Sequence, residues 1–519
     1  MGAMGNAALR QRAATAGHGN GTRRGSGKVP EYKGWVSLQR ELGFTRRSVV
    51  TEKYPHGKML TKDQAGDIFN SIRKYSTAEE VEALFYGGKS ALTRFANNTI
   101  HQNVAEENYG VSVRAAFGGR TARATTNKFD KESLKRVAQA SEGLAKLQQP
   151  DPDLLPMPDP GERARATQSL PSRYFEQTAT VTPEQRAEAV SKIVSIATKY
   201  KLTAAGISST SESVEGIFNS RGLSDWHTQT SSEISVTMLA ANSSGWQKAN
   251  SPDVRKLDAQ ALAENAARKA IDSADPKEIP AAKFTVILEP AAVLDMVGFM
   301  FFDFGGLAIL DQRSFLNNRV GTQLFGGNIH VSDDVAHPSQ SGAPFDGEGV
   351  RRARVPLVEN GVVKRLVYAR ATAQRMATSE YKDKVGAIEP TGHGFPIPNE
   401  MGEAPMNIVF ATPKQPKTID QMVASTERGV LVTRLWYIRE VDPYEKILTG
   451  MTRDGTFYVQ DGKIQYGIRN FRFNESLIHM LSNVEEMGTP VRASGEESFD
   501  MVVPAMKVRE FNFTEVTKF

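Results

Sequence analysis

The chain has 519 residues and a mass of 56.9 kDa, long enough for two to four domains with their own cores. Hydrophobic residues make up 39% and charged residues 24%, which is typical of a globular protein. No run of 18 or more apolar residues occurs, so the sequence predicts no membrane-spanning helix. Cysteine is absent, which excludes disulfides, thiolate zinc sites, iron–sulfur clusters and cysteine nucleophiles.

The net charge of +5 is concentrated at the N-terminus. Residues 1–58 contain 11 basic and 3 acidic residues, whereas the other 461 contain 53 basic and 56 acidic residues. The high isoelectric point is therefore poor evidence for nucleic-acid binding, and we expect no nucleic-acid partner. Because residues 1–28 lack apolar periodicity, we expect 1–58 to be a basic, disordered extension, with Met59 a candidate natural start.

A pair of arginines in this extension raises the possibility of export. The sequence FTRRSVV around Arg46-Arg47 resembles a twin-arginine signal, but TEKYPHGKM follows it where an apolar segment is required. We therefore expect a cytoplasmic protein with no membrane association.

The first predicted unit, 59–147, mixes helices and strands. A helix beginning at Thr61 or Asp63 has apolar residues at helical spacing, and a second helix is predicted from Thr77 to Phe85, ended by Gly87-Gly88. Alternating residues then predict strands over 90–104 and 109–127, with turns at Asn97-Asn98 and Gly118-Gly119. A helix over 130–147 closes the unit.

Two further units follow a linker. Residues 148–171 contain six prolines and are predicted to be a linker or an extended surface segment. The middle unit, 172–280, repeats the helix, strand, helix order. The third unit, 281–519, is predicted to be β-rich, with a helix over 290–303 and turns at Glu359-Asn360-Gly361, Arg453-Asp454-Gly455 and Gln460-Asp461-Gly462. The predicted fold class is α+β (mixed α/β).

Common catalytic motifs are missing. No two of the eight histidines are three to five residues apart, and the nearest pair, His330 and His337, is interpreted as isolated side chains. Asp295, Asp303 and Asp311 are expected at helix ends or in solvent. Gly88-Lys89-Ser90 lacks the first glycine and the preceding strand of a phosphate-binding loop. No GxSxG or GxGxxG motif occurs.

Charged and aromatic residues are dense in the strands of 426–477. Charged residues inside strands must be paired or line a cleft. The alternation from Arg434 to Glu440 therefore predicts either a binding surface or internal salt bridges. The candidates for the surface are Arg434, Tyr437, Arg439, Arg453 and Asp454.

Residues 61–519 resemble the TldD/PmbA family, also described as modulator of DNA gyrase. The resemblance is carried by TRFANNTIHQNVAEENYGVSVRAAFGGRTARATTN, ILEPAAVLDMVGFM, GAPFDGEGVRRARVPLVENGVVKRLVYARATA, and STERGVLVTRLWYIREVDP with LTGMTRDGTFYVQDGKIQYGIRNFRFNESL. It implies a two-lobed α/β chain that dimerises around a central channel. It also implies zinc peptidase activity in the TldD branch, where HExxxH on a helix and a later cysteine hold the metal.

This sequence departs from that branch. The helix that should carry HExxxH reads AAVLDMVGFMFFDF, with no histidine, and no cysteine exists. The chain therefore resembles the PmbA/TldE branch, which lacks zinc. The resemblance implies no catalytic residue, metal ligand or cofactor in this chain, with zinc expected in a TldD-type partner.

Three hypotheses follow. The leading one is a non-zinc-binding subunit that supports peptide proteolysis by an HExxxH-bearing partner in a heterodimer, with the five candidates above as peptide contacts and peptide bound as an added strand. The second is a free-standing, non-catalytic, peptide-binding homodimer. The third is an enzyme that uses the charged strands between Arg434 and Asp454, and it predicts turnover without metal.

Overall fold

A single antiparallel sheet joins the two N-terminal units. The computed structural model describes residues 59–163 and 170–517, so the expectations for 1–58 lie outside the described residues. The strands of this sheet are β1 Glu80–Ala96, β2 Thr99–Phe117, β3 Arg120–Thr126, β4 Thr203–Asn219, β5 Ser224–Leu239 and β6 Ser244–Ser251. Their order is β3-β2-β1-β4-β5-β6. Because β1 pairs with β4, strands from before and after the Pro-rich stretch belong to one sheet. The predicted domain boundaries stay predictions.

The helices of this half begin at well-formed caps. They are α1 Lys62–Tyr75, α2 Lys131–Leu147, α3 Glu176–Ala179, α4 Pro183–Lys199 and α5 Ala259–Asp272. Thr61 and Gln64 form a capping box at α1, and Thr182 and Gln185 form one at α4. The predicted apolar stripe of α1 is buried, and α4 and α5 form a core with β1, β4 and β5. On α2, by contrast, Leu144 is exposed.

The predicted helix from Thr77 to Phe85 is wrong, because β1 begins at Glu80. Residues 81–85 are all buried, because both faces of β1 are covered here: Leu84 packs against Ala343 and Phe345, and Phe85 contacts Phe218 and Trp226. Glu82 is fully buried and pairs with Arg114 of β2 at 3.1 Å and with Arg123 of β3. A strand buried on both faces has no apolar–polar alternation, and its short apolar run is indistinguishable from a buried helix.

Gly87-Gly88 does not end a helix; it lies inside β1. A Cβ atom on Gly88 would lie 1.9 Å from the carbonyl oxygen of Glu212 on β4, so the close approach of the two backbones requires glycine. Lys89 pairs with Glu212 at 2.9 Å. The segment therefore offers no loop for a phosphate.

The C-terminal unit contains two sheets. Its strands are β7 Lys283–Leu288, β8 Val331–Asp333, β9 Val355–Glu359, β10 Val362–Val363, β11 Ile408–Phe410, β12 Arg428–Asp442, β13 Ile447–Gln460, β14 Lys463–Gly467, β15 Phe471–Ser476, β16 Val484–Met487, β17 Val491–Ala493, β18 Met501–Val503 and β19 Met506–Val516. One sheet has the order β10-β9-β8-β11-β18-β17. The other has the order β12-β7-β19-β15-β13-β14, and because β12 also pairs with β13, five of its strands close into a ring.

Short helices complete this unit. They are α6 Pro290–Val297, α7 Gly306–Leu310, α8 Arg370–Thr378, α9 Ile419–Ala424 and α10 Leu477–Ser482, with 3₁₀ turns at Pro160–Arg163, Val254–Lys256 and Gly298–Phe304. None of the helices in 59–163 and 170–517 is long and apolar enough to cross a membrane. The predicted α+β class, with helix-plus-sheet N-terminal units and a β-rich C-terminal unit, is confirmed.

Three details of this unit correct the sequence predictions. The predicted helix over 290–303 is α-helical only to Val297 and continues as a 3₁₀ turn. Asp295 and Asp303 are buried, not solvated, and Asp303 pairs with Lys446 at 2.7 Å. The predicted turn at 453–455 lies inside β13, whereas the turns at 360–361 and 461–462 are confirmed.

Candidate functional site

The helix α6 corresponds to the helix expected to carry HExxxH, and its one ionisable residue is Asp295. The Asp295 side chain is 1% exposed, and its Oδ1 accepts a hydrogen bond from the backbone N–H of Glu497 at 3.1 Å. Burial raises the pKa of Asp295 to about 7, against the opposing effects of the Glu497 N–H and the positive charge of Arg434. Asp295 is therefore a buried carboxyl group that ionises with difficulty.

Two of the five predicted surface residues are internal. Arg434 is 6% exposed and its guanidinium lies 3.3 Å from Asp454 Oδ2, while Ser244 donates to Asp454 Oδ1 at 2.6 Å. The Arg434 guanidinium also lies over the ring of Trp246, 4.5 Å from its centroid. These contacts connect β12 and β13 to β6, so this pair has the structural role that the sequence left open.

The backbone at Asp454 explains why 453–455 looked like a turn. Asp454 and Gly455 have φ angles of 55° and 122°, and both lie opposite the single residue Thr433. The Thr433 hydroxyl donates to the carbonyl oxygens of both residues, at 3.0 and 3.1 Å. Residues 453–455 therefore form a β-bulge, which turns Asp454 toward Arg434.

The other three predicted residues, Tyr437, Arg439 and Arg453, lie on the surface. Tyr437 is 53% exposed and the Arg439 guanidinium lies 4.4 Å from its ring centroid. The Arg453 guanidinium lies 4.5 Å from the ring centroid of Trp436. One cation–aromatic pair thus lies within β12, and the other joins β12 to β13.

The outer edge of β12 is unpaired beside these residues. β7 pairs with β12 only from Gly429 to Val432, and no other strand among 59–163 and 170–517 pairs with the outer side of residues 436–442. Val441 is 61% exposed on this edge. We call residues 436–442 the β12 edge. An unpaired strand edge can bind an extended peptide as an additional strand, although here the Tyr437 N–H and the Ile438 carbonyl oxygen are bonded to the side chains of Glu497 and Arg439.

An acidic segment, residues 494–500 (SGEESFD), lies over α6 and contacts the β12 edge. Its Glu497 Oε1 accepts a hydrogen bond from the backbone N–H of Tyr437 at 2.8 Å. A Cβ atom on Gly298 would lie 1.8 Å from Ser498 Oγ, so the segment packs directly on the end of α6. Lys248 of β6 also contacts the segment, because its ammonium donates a hydrogen bond to the Gly495 carbonyl oxygen at 3.2 Å.

This arrangement does not fit zinc. Across the described residues, 59–163 and 170–517, no group of three histidine, cysteine, aspartate or glutamate side chains is arranged to hold a metal ion. Within α6 itself the only ionisable donor is the buried Asp295 carboxyl group, whose raised pKa means that it holds a proton more readily than it offers a negative charge to a cation.

His330 and His337, which the sequence analysis interprets as isolated side chains, lie near each other only in that they share a surface cavity. Both line a surface cavity of about 220 Å³ beside β8 and β9. However, the Nδ1 atom of each ring already accepts a backbone N–H, from Asn360 at 3.3 Å and from Ser339 at 3.2 Å. The two histidines do not form a metal site with a third ligand.

Sequence reasoning missed the groups that surround the β12 edge. Glu497 and Lys248 lie about 60 and 190 residues from Tyr437 in the chain, so no local pattern connects them. The available signal was the acidic run of 494–500, which contains three carboxylates in seven residues and no basic residue.

Models of three domains of one family match the chain in order. They are PmbA/TldA metallopeptidase domain 1 over residues 81–145, the central domain over 177–274 and the C-terminal domain over 281–515. The chain belongs to the TldD/PmbA family. These three ranges lie within the three units that the sequence predicted on either side of the Pro-rich linker.

Individual members of this family also match the chain. Metalloprotease PmbA of Escherichia coli O157:H7 is 21% identical over 83% of this chain and 92% of its own length. A metalloprotease of Methanothermobacter thermautotrophicus is 23% identical over 46% of this chain, a match that spans half of that protein. The crystal structure of TldE from Thermococcus kodakarensis superposes with a TM-score of 0.75 at 18% identity, covering 87% of this chain and all of that one.

Proposed function

We propose that this chain is the non-zinc-binding subunit of a peptide-processing pair. In this proposal it holds peptide at the β12 edge, while an HExxxH-bearing relative supplies zinc and hydrolysis. The observation that carries the proposal is the contrast between α6 and the β12 edge. α6 offers one buried carboxyl group and no imidazole, whereas the β12 edge exposes main-chain groups flanked by Tyr437, Arg439 and Arg453.

The electrostatics of the surface support peptide binding over hydrolysis. A water nucleophile needs a metal or an ionised general base within reach. Asp295 is buried beneath residues 494–500, and Asp454 is occupied by Arg434 and Ser244. Neither carboxylate is placed to activate water at the exposed strand edge.

Peptide would bind mainly through its backbone. An added strand forms main-chain hydrogen bonds whatever its sequence, and side chains add preferences. The neighbouring groups are two arginines stacked on aromatic rings, which favour peptides with carboxylate or aromatic side chains. The substrate class we propose is therefore an unfolded, acidic or aromatic peptide.

The experiment is a peptidase assay on the purified full-length chain, alone and mixed with an HExxxH-bearing relative. We expect no turnover by the chain alone and turnover by the mixture above that of the relative by itself. The control replaces the relative by its HExxxH Glu→Gln variant, which should abolish turnover in the mixture. EDTA-sensitive hydrolysis by the lone chain would contradict the proposal.

The free-standing peptide-binding homodimer remains the second candidate, because the β12 edge lies within one chain. It predicts saturable binding of peptide by the lone chain and no gain of turnover with any HExxxH-bearing relative. The third hypothesis, an enzyme using Arg439 or Asp454, is weakened by the burial of Asp454.

A further inference from the structure

The surface cavity that His330 and His337 line has an aliphatic middle. Its volume is about 220 Å³, and we call it the β8 cavity. Ser332 of β8 lies between Pro356 of β9 and Val409 of β11, and all three residues line the cavity. A ligand that lies along β8 therefore contacts proline and valine side chains there.

The charged residues of the β8 cavity lie at its two ends. Arg354 and Asp334 flank the last pair of the β8–β9 ladder, whereas Glu359 follows the first pair. The two ends are about four residues of extended chain apart, roughly 13 Å. The cavity therefore has a cationic group at one end and a carboxylate at the other.

His337 supplies an N–H donor to the Arg354 end, where its backbone bonds to the Asp334 carbonyl oxygen at 3.2 Å. Its Nδ1 accepts the backbone N–H of Ser339, so the proton of the neutral ring is on Nε2. Burial lowers the pKa of His337, and the charge of Arg173 lowers it further against the effect of Asp334. Within the part of the chain that the structure describes, no hydrogen bond occupies this Nε2.

Arg173 adds a buried positive charge to the same end. It is 3% exposed, and its guanidinium donates to the carbonyl oxygens of Val335, His337 and Pro338 at 2.8, 3.0 and 3.2 Å. Among the described residues no carboxylate forms an ion pair with it, and its Nε has no hydrogen-bond partner. A buried charge without a counter-ion is unfavourable, so this end favours an anion.

Asp334 is too far from these groups to neutralise them. Its Oδ2 lies 3.7 Å from Arg354 Nε, beyond hydrogen-bonding distance, and its Oδ1 accepts the backbone N–H of Ala336 at 2.9 Å. The guanidiniums of Arg173 and Arg354 and the one carboxylate of Asp334 leave a net charge of +1 at this end.

We propose that the β8 cavity binds a short aliphatic peptide through its C-terminal carboxylate. Arg354 and the His337 Nε2–H hold the carboxylate, the aliphatic side chains lie over Pro356 and Val409, and Glu359 accepts from the N-terminal ammonium. An extended tripeptide is about 10 Å long, so with a hydrogen bond at each end it spans the cavity.

This site is independent of the proposed function. It lies in the sheet that contains β8, whereas the β12 edge belongs to the other sheet of the C-terminal unit. Binding of a tripeptide is measured on the lone chain without zinc or a partner. A failure here leaves the peptidase result unaffected, and a failure of the peptidase assay leaves this binding unaffected.

The first test is isothermal titration calorimetry of the purified full-length chain with the tripeptide Ala-Val-Ala. We expect saturable binding, and binding of the C-terminal amide about tenfold weaker, because the amide lacks the charge that Arg354 recognises. Inorganic phosphate has charge without an aliphatic body and should also bind more weakly. No saturable binding of the tripeptide, equal binding of the amide, or phosphate binding as tight as the tripeptide overturns the proposal.

The second test assigns the binding to the β8 cavity. R354Q should raise the tripeptide Kd about tenfold. The matched control is R313Q, since Arg313 is also about half exposed and pairs with Asp311 outside this cavity. A411F adds a ring at an exposed position of the cavity lining and should weaken binding without changing a charge. Unchanged binding in R354Q or A411F, or equal effects of R354Q and R313Q, overturns the proposal.

Discussion

The carboxylate of Glu497 accepts a hydrogen bond from the backbone N–H of Tyr437 at 2.8 Å, on the unpaired side of β12. A backbone N–H at this position would otherwise be a donor to an added strand. The acidic segment therefore occupies one hydrogen-bonding position of the β12 edge.

Replacing Glu497 by alanine should strengthen peptide binding, because the Tyr437 N–H becomes free. One additional hydrogen bond corresponds to about 0.5–1.5 kcal/mol, so Kd should fall about twofold to tenfold. Fluorescence anisotropy with labelled, unstructured decapeptides measures the change. The matched control is E497Q, which retains an acceptor oxygen and should stay close to the unmodified chain. Weaker binding by E497A would argue that Glu497 itself contacts peptide.

Removing Arg453 should weaken peptide binding at the β12 edge. Its guanidinium stacks on Trp436, 4.5 Å from the ring centroid, and its side chain is 46% exposed. We expect R453A to raise the peptide Kd about threefold to tenfold, in line with the loss of an exposed arginine–aromatic contact. The control is R469A, since Arg469 is 51% exposed but pairs with Glu278 away from this edge. Equal effects of the two variants would contradict a local site.

Removing Arg434 should destabilise the fold rather than affect binding alone. R434A removes the buried cation of Asp454 and leaves it only the half-exposed Arg453, whose Nε lies 3.5 Å from Asp454 Oδ2, so the loss should approach the about 3–5 kcal/mol of a broken buried pair. The double variant R434M/D454N removes both charges and should recover more than half of that loss. Urea unfolding of the three proteins measures these differences. A loss below about 1 kcal/mol in R434A would show that the pair is replaceable.

The buried Asp295 predicts a specific pH dependence. Its folded-state pKa of about 7 lies above the unfolded value of 3.8, because burial disfavours the charged form. Between these values the folded chain keeps a proton that the unfolded chain has released, so stability is lost as pH rises through about 7. At about 1.4 kcal/mol per pKa unit, D295N, which still accepts the Glu497 N–H, should exceed the unmodified chain by about 4 kcal/mol at pH 8.

The same comparison at pH 5.5 separates titration from packing. There the Asp295 carboxyl is protonated in the folded chain but ionised in the unfolded chain, so the advantage of D295N should fall to about half its value at pH 8 and reach zero only below the unfolded pKa of 3.8. The matched control is D311N, since the Asp311 side chain is 41% exposed. An advantage of D295N that is the same at both pH values would place the effect in packing and contradict the raised pKa.

Local patterns predicted the elements with strong caps and periodicity. The stripe of α1, the turns at Asn97-Asn98 and Gly118-Gly119, and helices α4 and α5 were all visible in the sequence. The strand at 80–85 was not, because Glu82 is stabilised by Arg114 and Arg123, which come from two other strands. Long-range ion pairs of this kind override local helix preference.

The candidate site was only half visible for a similar reason. The sequence located the charged strands, but not which charges are buried. Arg434 is internal because two residues of β6, distant in the chain, cover the pair: Trp246 packs against Arg434, and Ser244 donates a hydrogen bond to Asp454. Arg453, one residue from Asp454, stays on the surface because the bulge rotates the backbone between them.

The zinc content of the purified chain shows whether it is the metal-free subunit. The purified full-length chain is incubated with excess zinc, dialysed against metal-free buffer and measured by inductively coupled plasma mass spectrometry. We expect well under 0.1 zinc ions per chain, because α6 supplies a single buried carboxyl group with a raised pKa. One zinc ion per chain, retained through dialysis and released by EDTA, would contradict the assignment of this chain as the metal-free subunit.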